Sequence, residues 1–176
     1  MIEMNDSRNV TDEFKNVDHE LIVKTLDTRG ATLEIAIENT LRDFNMGNIV
    51  RSANAFGIRK VHVIGRKQWN KRGAMMTDKY LLVEYHPDVE SFKVAMTEQG
   101  KVVYALENNV DSETITDVSL PENVVFVFGQ EGPGVSDTLL SQCDKVLHID
   151  QLGSTRSLNV GVAAGIAMYE WSRQRL

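Results

Sequence analysis

Three loops of this 176-residue sequence carry residues whose types and spacing could do chemistry. The first is NMGNIVRSANAFGI, residues 45–58, where Asn48 and Arg51 lie three positions apart and so share one face of a predicted helix. A guanidinium beside a helix N-terminus can bind a phosphate or another oxyanion, because the unpaired N–H groups and the planar fork of donors both face it. The plainer interpretation of this loop is a surface arginine on an ordinary helix.

The second loop follows the apolar run VVFVF, residues 124–128, and holds three glycines and a proline between Gly129 and Gly134. This composition predicts a tight, rigid turn. Glu131 lies inside the turn, where a carboxylate is costly to hold unless it is paired. The spacing matches neither the dinucleotide-binding fingerprint nor a phosphate-binding P-loop, so a turn with a purely structural role is the alternative.

The third loop is GSTRSLNVGVAAGIAMYEW, residues 153–171. Ser157 is predicted to cap the last helix at its N-terminus, and Asn159 then lies in the first helical turn. The small residues of this helix allow another helix or a backbone segment to come close. A well-capped core helix is the plainer interpretation.

The three loops are positioned by a chain in which short apolar strands alternate with helices. Spacing and capping residues predict helices at 13–26, 47–56, 89–98, directly after residue 136, and at 158–173. Strands are predicted at 33–37, 60–64, 101–106, 124–128 and 145–149. This alternation predicts an α/β fold with a mainly parallel sheet and helices on both faces. Ligands of such sheets bind beyond the carboxyl ends of the strands, where the three loops begin.

Composition limits the possible classes of protein. With 42% hydrophobic and 25% charged residues, the chain is expected to form one globular domain, with about the first ten residues as a loose tail. We find no apolar run long enough to span a membrane and no secretory signal, so no membrane partner is expected. The single Cys143 and the four scattered histidines predict no disulfide and no metal site, and a reducing cytoplasm as the compartment.

The distribution of charge along the chain favours a polyanionic partner, although the net charge is negative. The net charge is −6, but residues 42–79 contain nine Lys and Arg against Asp43 and Asp78. A bound polyanion responds to charge within a Debye length of about 8 Å, so this stretch could meet phosphates in an acidic protein. A solvated loop rich in lysine and arginine is the alternative.

Together, and in this order, the three loops resemble the signature motifs of the SpoU class, also called TrmH-like, of the SPOUT RNA methyltransferases. The matching positions are Asn45, Gly47, Asn48, Arg51, Ala53, Phe56 and Gly57 in the first motif, Gly129, Glu131, Gly132, Gly134, Cys143, Asp144 and Ile149 in the second, and Ser157, Leu158, Asn159 and Val160 in the third. The resemblance covers about residues 33–171. It suggests a methyltransferase domain at 31–176 and leaves a tail and helix at 1–30 unassigned.

The resemblance implies a fold and an activity that periodicity alone does not show. It implies a C-terminal trefoil knot and a homodimer with the cofactor cleft near the subunit interface. The activity implied is methylation of an RNA ribose 2′-hydroxyl by S-adenosylmethionine. Because the chain is short and has a single domain, it is more similar to the members that modify tRNA than to those that modify rRNA.

The same resemblance assigns roles to five residues as the predicted catalytic set. Arg51 would hold a neighbouring phosphate and stabilise the negative charge that develops on the ribose oxygen, and a deprotonated arginine acting as base is the alternative. Glu131 would pair with Arg51, and Asn48 would support that pair. Ser157 and Asn159 would line the methyl-donor or ribose side.

Cofactor binding in the family is largely by backbone. The positions matched to it are Leu106, Gly129, Ile149 and Leu158, with Ser157 adjacent. Family members usually have Ile-Pro-Met where this chain has Ile149, Asp150 and Gln151. Without the proline, the loop expected to wrap the adenine would be looser, and Asp150 would add a charge there.

The basic stretch after the first motif could follow the phosphates of RNA, with an indole available to stack on a base. The predicted RNA-binding residues are Arg59, Lys60, Arg66, Lys67, Trp69, Lys71 and Arg72. A solvated rim is the alternative for this segment.

Other functions stay open from the sequence. A catalytically silent RNA-binding dimer of the same fold is favoured only by the departure at Asp150. A nucleotide-dependent α/β oxidoreductase would need the dinucleotide fingerprint, which the chain lacks. A protein–protein interaction module would need an exposed apolar stripe, and none is evident in the sequence.

Overall fold

The computed structural model of the chain describes residues 6–40, 45–108 and 110–175. Its centre is a seven-stranded sheet in which every strand pair is parallel. The strands are β1 Glu34–Asn39, β2 Lys60–Gly65, β3 Leu82–His86, β4 Val102–Leu106, β5 Glu113–Thr114, β6 Val124–Phe128 and β7 Lys145–His148. They are ordered β3-β2-β1-β6-β4-β7-β5 across the sheet. The predicted α/β fold with a mainly parallel sheet is confirmed.

Helices cover both faces of this sheet. They are α1 His19–Arg29, α2 Asn45–Ala55, α3 Val89–Glu98, α4 Asp137–Leu140 and α5 Val160–Arg173. One face packs against α2 and α5, where Val50 and Met168 are fully buried. The other face packs against α3 and α4, where Phe92 and Leu139 are buried. All six residues of β1 are buried, as expected for a central strand covered on both sides.

The order of the strands makes one connection cross another. The strands β4 and β5 follow each other in the chain, yet β7 lies between them. The segment that joins them passes the carboxyl end of β7, where the Glu107 amide donates to the Leu147 carbonyl at 2.9 Å and Ser112 Oγ lies 2.9 Å from His148 Nδ1. The chain leaves β7 at this same end and continues to α5.

Two helices begin later than the sequence predicts. Asn159, not Ser157, caps α5, because its side-chain oxygen accepts hydrogen bonds from the Gly161 and Val162 amides at 3.0 and 3.3 Å. The predicted helix at 13–26 is a single 3-10 turn at Asp12–Phe14 followed by α1. Asn16 separates the two, since its left-handed backbone (φ 60°) cannot continue a helix.

Two strands were not predicted. In β3 the polar Glu84 and His86 face α3, so the segment lacks the continuous apolar run of a buried parallel strand. The strand β5 has two residues, which is too short for a pattern. Residues 66–78, for which no regular helix or strand is predicted, form a loop. The loop contains a 3-10 turn at Arg72–Ala74 and enters a second at Thr77–Tyr80.

The predicted loose tail is wrong for the part that the structure describes. Residues 1–5 lie outside the described residues. Beyond them, the Asp6 carboxylate accepts hydrogen bonds from Arg8 Nε at 2.9 Å and from the Asn16 amide at 2.8 Å. Lys15 Nζ also donates to the Arg8 carbonyl at 2.6 Å. These contacts close residues 6–16 into a compact turn ahead of α1.

An exposed apolar stripe, not evident in the sequence, runs along α5. Val162, Ile166 and Tyr169 follow helical spacing and are 53%, 38% and 57% exposed, and Leu158, just before the helix, is 36% exposed. The expectation that the chain lacks such a stripe is therefore wrong. None of the described helices combines the length and apolar character needed to cross a membrane.

Polar side chains are buried beneath α3. His62 in β2 lies between Glu34 Oε2 at 2.8 Å and His86 Nε2 at 3.0 Å. Burial by itself would raise the pKa of Glu34, but hydrogen bonds from His62 and Lys101 outweigh burial and lower the pKa to about 2. Burial, together with the neighbouring His62, lowers the pKa of His86. The sheet face under α3 thus holds an ionised carboxylate, Glu34, in contact with the His62 imidazole.

Candidate active site

The second and third loops singled out in the sequence, with the residues that follow β4, line a cleft of about 280 Å³ at the carboxyl edge of the sheet, and the first loop adjoins it through Asn45. The loop after β6 forms one wall, and the segment between β7 and α5 forms another. All five residues predicted to bind the cofactor line this cleft: Leu106, Gly129, Ile149, Ser157 and Leu158. Of the predicted catalytic residues, Glu131, Ser157 and Asn159 line it as well.

The glycine-rich turn after β6 forms as predicted. Gln130 and Gly134 exchange two backbone hydrogen bonds, at 3.1 and 3.0 Å, which close the turn on itself. A side chain at Gly129 would place its Cβ 2.1 Å from the Gly134 carbonyl carbon, so no larger residue fits there. Gly134 also has a positive φ of 74°, a conformation that glycine adopts without strain. Backbone atoms therefore form this wall of the cleft.

Two carboxylates hold the backbone that follows the turn. Glu107, directly after β4, accepts a hydrogen bond from the Val135 amide at 3.0 Å. Glu38, 4% exposed near the end of β1, accepts one from the Ser136 amide at 2.9 Å. The ends of two strands thereby position the loop after a third. The sequence analysis missed both residues, although each is a carboxylate at the carboxyl end of a predicted strand or just past it.

A single buried amide connects the three motifs. Asn45 Nδ2 donates to Glu131 Oε2 at 2.8 Å, and Asn45 Oδ1 accepts from Asn159 Nδ2 at 3.0 Å. Asn45 is only 6% exposed and is the first residue of α2. The sequence analysis matched Asn45 to the first motif but gave it no role. Its place two residues before a predicted helix, beyond the carboxyl end of a predicted strand, was the available signal.

Arg51 and Asn48 lie outside this hydrogen-bonded group. Among the described residues, no hydrogen bond or ion pair involves the exposed Arg51 side chain. The predicted pair between Glu131 and Arg51 is not formed, and Glu131 accepts a hydrogen bond from Asn45. Asn48 is exposed and lies against Gly73, where a Cβ would come within 2.7 Å of Asn48 Oδ1. The guanidinium is therefore presented to solvent on α2, the helix whose first residue, Asn45, contacts the cleft residues Glu131 and Asn159.

Close packing attaches the basic loop to α2. A Cβ on Gly47 would lie 2.8 Å from Gly73 Cα, so the Arg72–Ala74 turn touches the first turn of the helix. At the other end of the loop, the buried Asn39 side chain donates to the Arg66 and Gln68 carbonyls at 2.6 and 3.1 Å. These two anchors hold the loop at the same edge of the sheet as the cleft.

Four of the predicted RNA-binding cations are carried by this loop and are exposed: Arg66, Lys67, Lys71 and Arg72. Lys71 Nζ lies 2.8 Å from Asp78 Oδ2, and this hydrogen bond raises the pKa of Lys71. Trp69 is half-buried against the core and has Lys71 Nζ 5.4 Å from its ring centre. Its indole therefore contributes packing, and only part of the ring is open to a base. Arg42 and Asp43, counted in the basic stretch, lie outside the described residues.

Arg59 and Lys60 do not belong to this basic surface, although the sequence analysis placed them there. They lie at the amino end of β2, whereas the cleft and the basic loop lie at the carboxyl ends of the strands. Arg59 Nε pairs with Asp27 at 2.8 Å, and Lys60 Nζ lies 3.7 Å from Glu34. Neighbours in the sequence are separated here because a strand carries the chain from one edge of the sheet to the other.

The departure at Asp150 lies outside the cleft. Its carboxylate is 64% exposed and 3.4 Å from His148 Nε2, whereas the preceding Ile149 lines the cleft. The added charge is therefore directed to solvent in this structure. The Gln151 side chain donates to the Arg156 carbonyl at 3.5 Å within the same loop.

Comparison with known proteins agrees with this geometry. The sequence profile of the SpoU rRNA Methylase family matches residues 32–169, which include all three motifs. The chain is also 30% identical over 163 residues to a tRNA (guanosine(18)-2′-O)-methyltransferase of Thermus thermophilus, covering 88% of this chain and 81% of that protein.

Solved structures show the same fold. The TrmH/SpoU tRNA-modifying enzyme of A. aeolicus superimposes with a TM-score of 0.77 and 27% identity, over 89% of this chain and 82% of that one. The SpoU methyltransferase AviRb of Streptomyces viridochromogenes, in complex with AdoMet, superimposes with a TM-score of 0.70 and 25% identity, over 81% of this chain and 57% of that one.

Proposed function

This chain belongs to the SpoU rRNA Methylase family, and we propose that it transfers a methyl group from S-adenosylmethionine to a ribose 2′-hydroxyl of RNA, with tRNA as the substrate. One observation carries the proposal. All five predicted cofactor positions line one cleft, together with Glu131 of the second motif and Asn159 of the third. The Asn45 amide of the first motif hydrogen-bonds to both Glu131 and Asn159.

The cleft fits an adenosyl group by its chemistry. Leu106, Ile149 and Leu158 supply apolar surface for a base, and the glycine-rich turn supplies backbone polar groups at close range. At Gly132 no atom lies within 4 Å of where a Cβ would be, so the turn leaves open space there. S-adenosylmethionine, when bound, supplies an electrophilic methyl group on a sulfonium sulfur. Asp150 adds no charge to these walls.

In the proposed reaction, Arg51 acts on the RNA. Methyl transfer to a ribose hydroxyl is an in-line displacement that needs an oriented oxygen and stabilisation of its developing negative charge. The exposed Arg51 guanidinium, with no partner among the described residues, is available to a phosphate and to that oxygen. Glu131 and Asn159, held by Asn45, would position the hydroxyl from the cleft side, with Ser157 beside the methyl donor.

The four cations of the basic loop would follow the phosphates of the same RNA. They are exposed and anchored to α2 next to Arg51. Transfer RNA is favoured because the T. thermophilus and A. aeolicus proteins are named as tRNA-modifying enzymes. We expect this protein to act in the cytoplasm, where tRNA occurs.

A trefoil knot and a homodimer complete the proposal. The position of β7 between β4 and β5 supports threading of the C-terminal segment past residues 107–112. The apolar stripe on α5, together with the exposed cleft residue Leu158 just before the helix, supports a second copy of the chain next to the cofactor site. Residues 31–176 would form the methyltransferase domain, with the segment at 1–30 attached through the buried Ile22.

The experiment is methyl transfer from tritium-labelled S-adenosylmethionine to tRNA and rRNA transcripts that carry no modifications. We expect label in tRNA, with the labelled linkage resistant to alkali because the 2′-hydroxyl is blocked. Guanosine 18 is the first nucleotide to examine, given the name of the T. thermophilus relative. Arg51→Ala should lower the rate by about 100-fold or more, whereas Arg29→Ala, on the exposed side of α1, should not.

Each result decides between the proposal and its alternative. Label in rRNA alone would overturn tRNA as the substrate and keep the chemistry. Absence of label from both RNAs, with no heat of binding for S-adenosylmethionine in calorimetry, would favour the silent RNA-binding dimer. Full activity in Arg51→Ala would remove Arg51 from the mechanism.

A further inference from the structure

A second group of ligand-type side chains lies away from the cleft, beneath α3. His62 in β2 is opposite Glu84 in β3, and His86 follows two residues later on the same face. One ligand atom from each of the three residues lies within 4.8 Å of the other two. His62 Nδ1 is 3.0 Å from His86 Nε2 and 3.8 Å from Glu84 Oε2. We call these three residues the β2–β3 cluster.

The surroundings of His62 determine which of its nitrogens is available. Its Nε2 lies 2.8 Å from the Glu34 carboxylate, which also accepts from Lys101 at 2.7 Å. A carboxylate paired with an ammonium is an acceptor, so the Nε2 hydrogen of His62 points to Glu34. The Nδ1 lone pair then faces His86 and Glu84. A carboxylate that orients an imidazole from behind is the usual outer partner of a histidine metal ligand.

The cluster has one closed side and one open side. Phe92 of α3 packs edge-on against both imidazoles, with ring centres 5.7 and 5.3 Å away, which excludes water from that side. His62 is fully buried, but the Glu84 side chain is 37% exposed, so an ion could enter from there. Lys60 Nζ, 3.8 Å from Glu84 Oε2, is the cation that neutralises this carboxylate in the structure.

We propose that His62 Nδ1, His86 Nε2 and the Glu84 carboxylate bind one divalent transition-metal ion of the zinc type, with water completing the coordination on the exposed side. Two imidazoles and a carboxylate form a ligand set typical of Zn²⁺. The hydrogen now shared by the two imidazoles would leave to solvent or to His86 Nδ1, and Lys60 would release Glu84. The sequence analysis predicted no metal because these histidines are 24 positions apart in the chain.

The consequence of such an ion is mechanical. It would cross-link β2 to β3, the strand at the edge of the sheet. These two strands flank the basic loop that we assign to RNA. The ion would therefore add a side-chain cross-link between the two strands that this loop joins, without touching the cleft, and the inference does not depend on the methyltransferase proposal.

The test is calorimetric titration of the full-length protein, stripped with a chelator, with zinc chloride. We expect one ion per chain and a rise in the thermal midpoint when zinc is added. Cobalt chloride should give the visible absorption of a low-coordinate Co²⁺ site. Glu84→Gln, at a half-exposed position that should not affect folding, should weaken binding by about tenfold or more and abolish the zinc-dependent rise. His86→Gln should do the same.

The matched control is His19→Gln, which removes an exposed histidine from α1. It should leave zinc affinity unchanged. The proposal is overturned if the wild-type chain shows no stoichiometric binding, if Glu84→Gln and His86→Gln both bind as the wild type does, or if binding is lost in His19→Gln. None of these results bears on methyl transfer, which is measured without added metal.

Discussion

Buried polar side chains occur in two regions of this molecule, and they are bound in different ways. At the carboxyl edge of the sheet, Glu38 and Glu107 accept hydrogen bonds from loop backbone, and Asn45 joins side chains from two further loops. Beneath α3, Glu34 and His62 bond directly across adjacent strands. Loops held by side chains can surround a ligand-sized space, whereas strands in register under a helix pack closed. The first region is therefore a cleft, and in the second His62 is fully buried while the Glu84 side chain is 37% exposed.

The packing of the sheet face covered by α3 and α4 predicts an unreactive thiol at Cys143, and this is the largest effect we expect. Burial raises the pKa of Cys143 to about 12. At a pH near 8, the reactive thiolate would be about 1000-fold scarcer than for an ordinary cysteine. Labelling with a chromogenic disulfide should be slower by about that factor in the native chain than in urea, with Cys143→Ser as the blank. Rapid native labelling would show that this face opens.

The network in the cleft predicts that Asn45 matters more than Asn48. Asn45→Ala would leave Glu131 and Asn159 without the amide that joins them, and we expect the methylation rate to fall by about 100-fold. Asn48→Ala, at an exposed position, should cost markedly less. Single-turnover rates with saturating tRNA would measure this, and circular dichroism would verify the fold. Equal losses in the two variants would contradict the role that we assign to Asn45.

The separation of cations between the two edges predicts the smallest effect. Reversing Lys71 and Arg72 to Glu should weaken tRNA binding by about tenfold and flatten its dependence on salt, because phosphate contacts release fewer counterions. The paired change of Arg59 and Lys60 to Gln, at the opposite edge, should leave binding within about twofold. Filter binding over a range of salt concentrations would measure both. An unchanged salt slope in the Lys71 and Arg72 variant would make that loop a solvated rim.

The sequence predicted the parts that depend on local pattern. Buried strands such as Val124–Phe128 are apolar runs followed by glycine, and such runs alternating with helices specify a parallel sheet. The three motifs fall on carboxyl ends of strands, which in a parallel sheet share one edge. The five cofactor positions assigned by resemblance therefore line a single cleft.

Prediction from the sequence failed where the local pattern was ambiguous. The polar residues Glu84 and His86 hid β3 from the sequence pattern of a buried strand. In the structure, Glu84 lies near Lys60 of β2, and His86 hydrogen-bonds to His62 of β2. Ser157 and Asn159 are both capable of capping a helix, and only the path of the loop chose Asn159. In each case, the deciding contact lies far away in the sequence.

Thus the sequence alone determined the fold class, the order of the motifs and the family, because these depend on residue types at short spacing. The tertiary structure decided which side chains meet. Asn45 joins Asn159 across 114 positions, His62 meets His86, and Lys60 is separated from Lys71 by the length of a strand. The physical reason is that a parallel sheet brings distant segments side by side, whereas an extended strand places the residues before it and after it at opposite ends of the sheet.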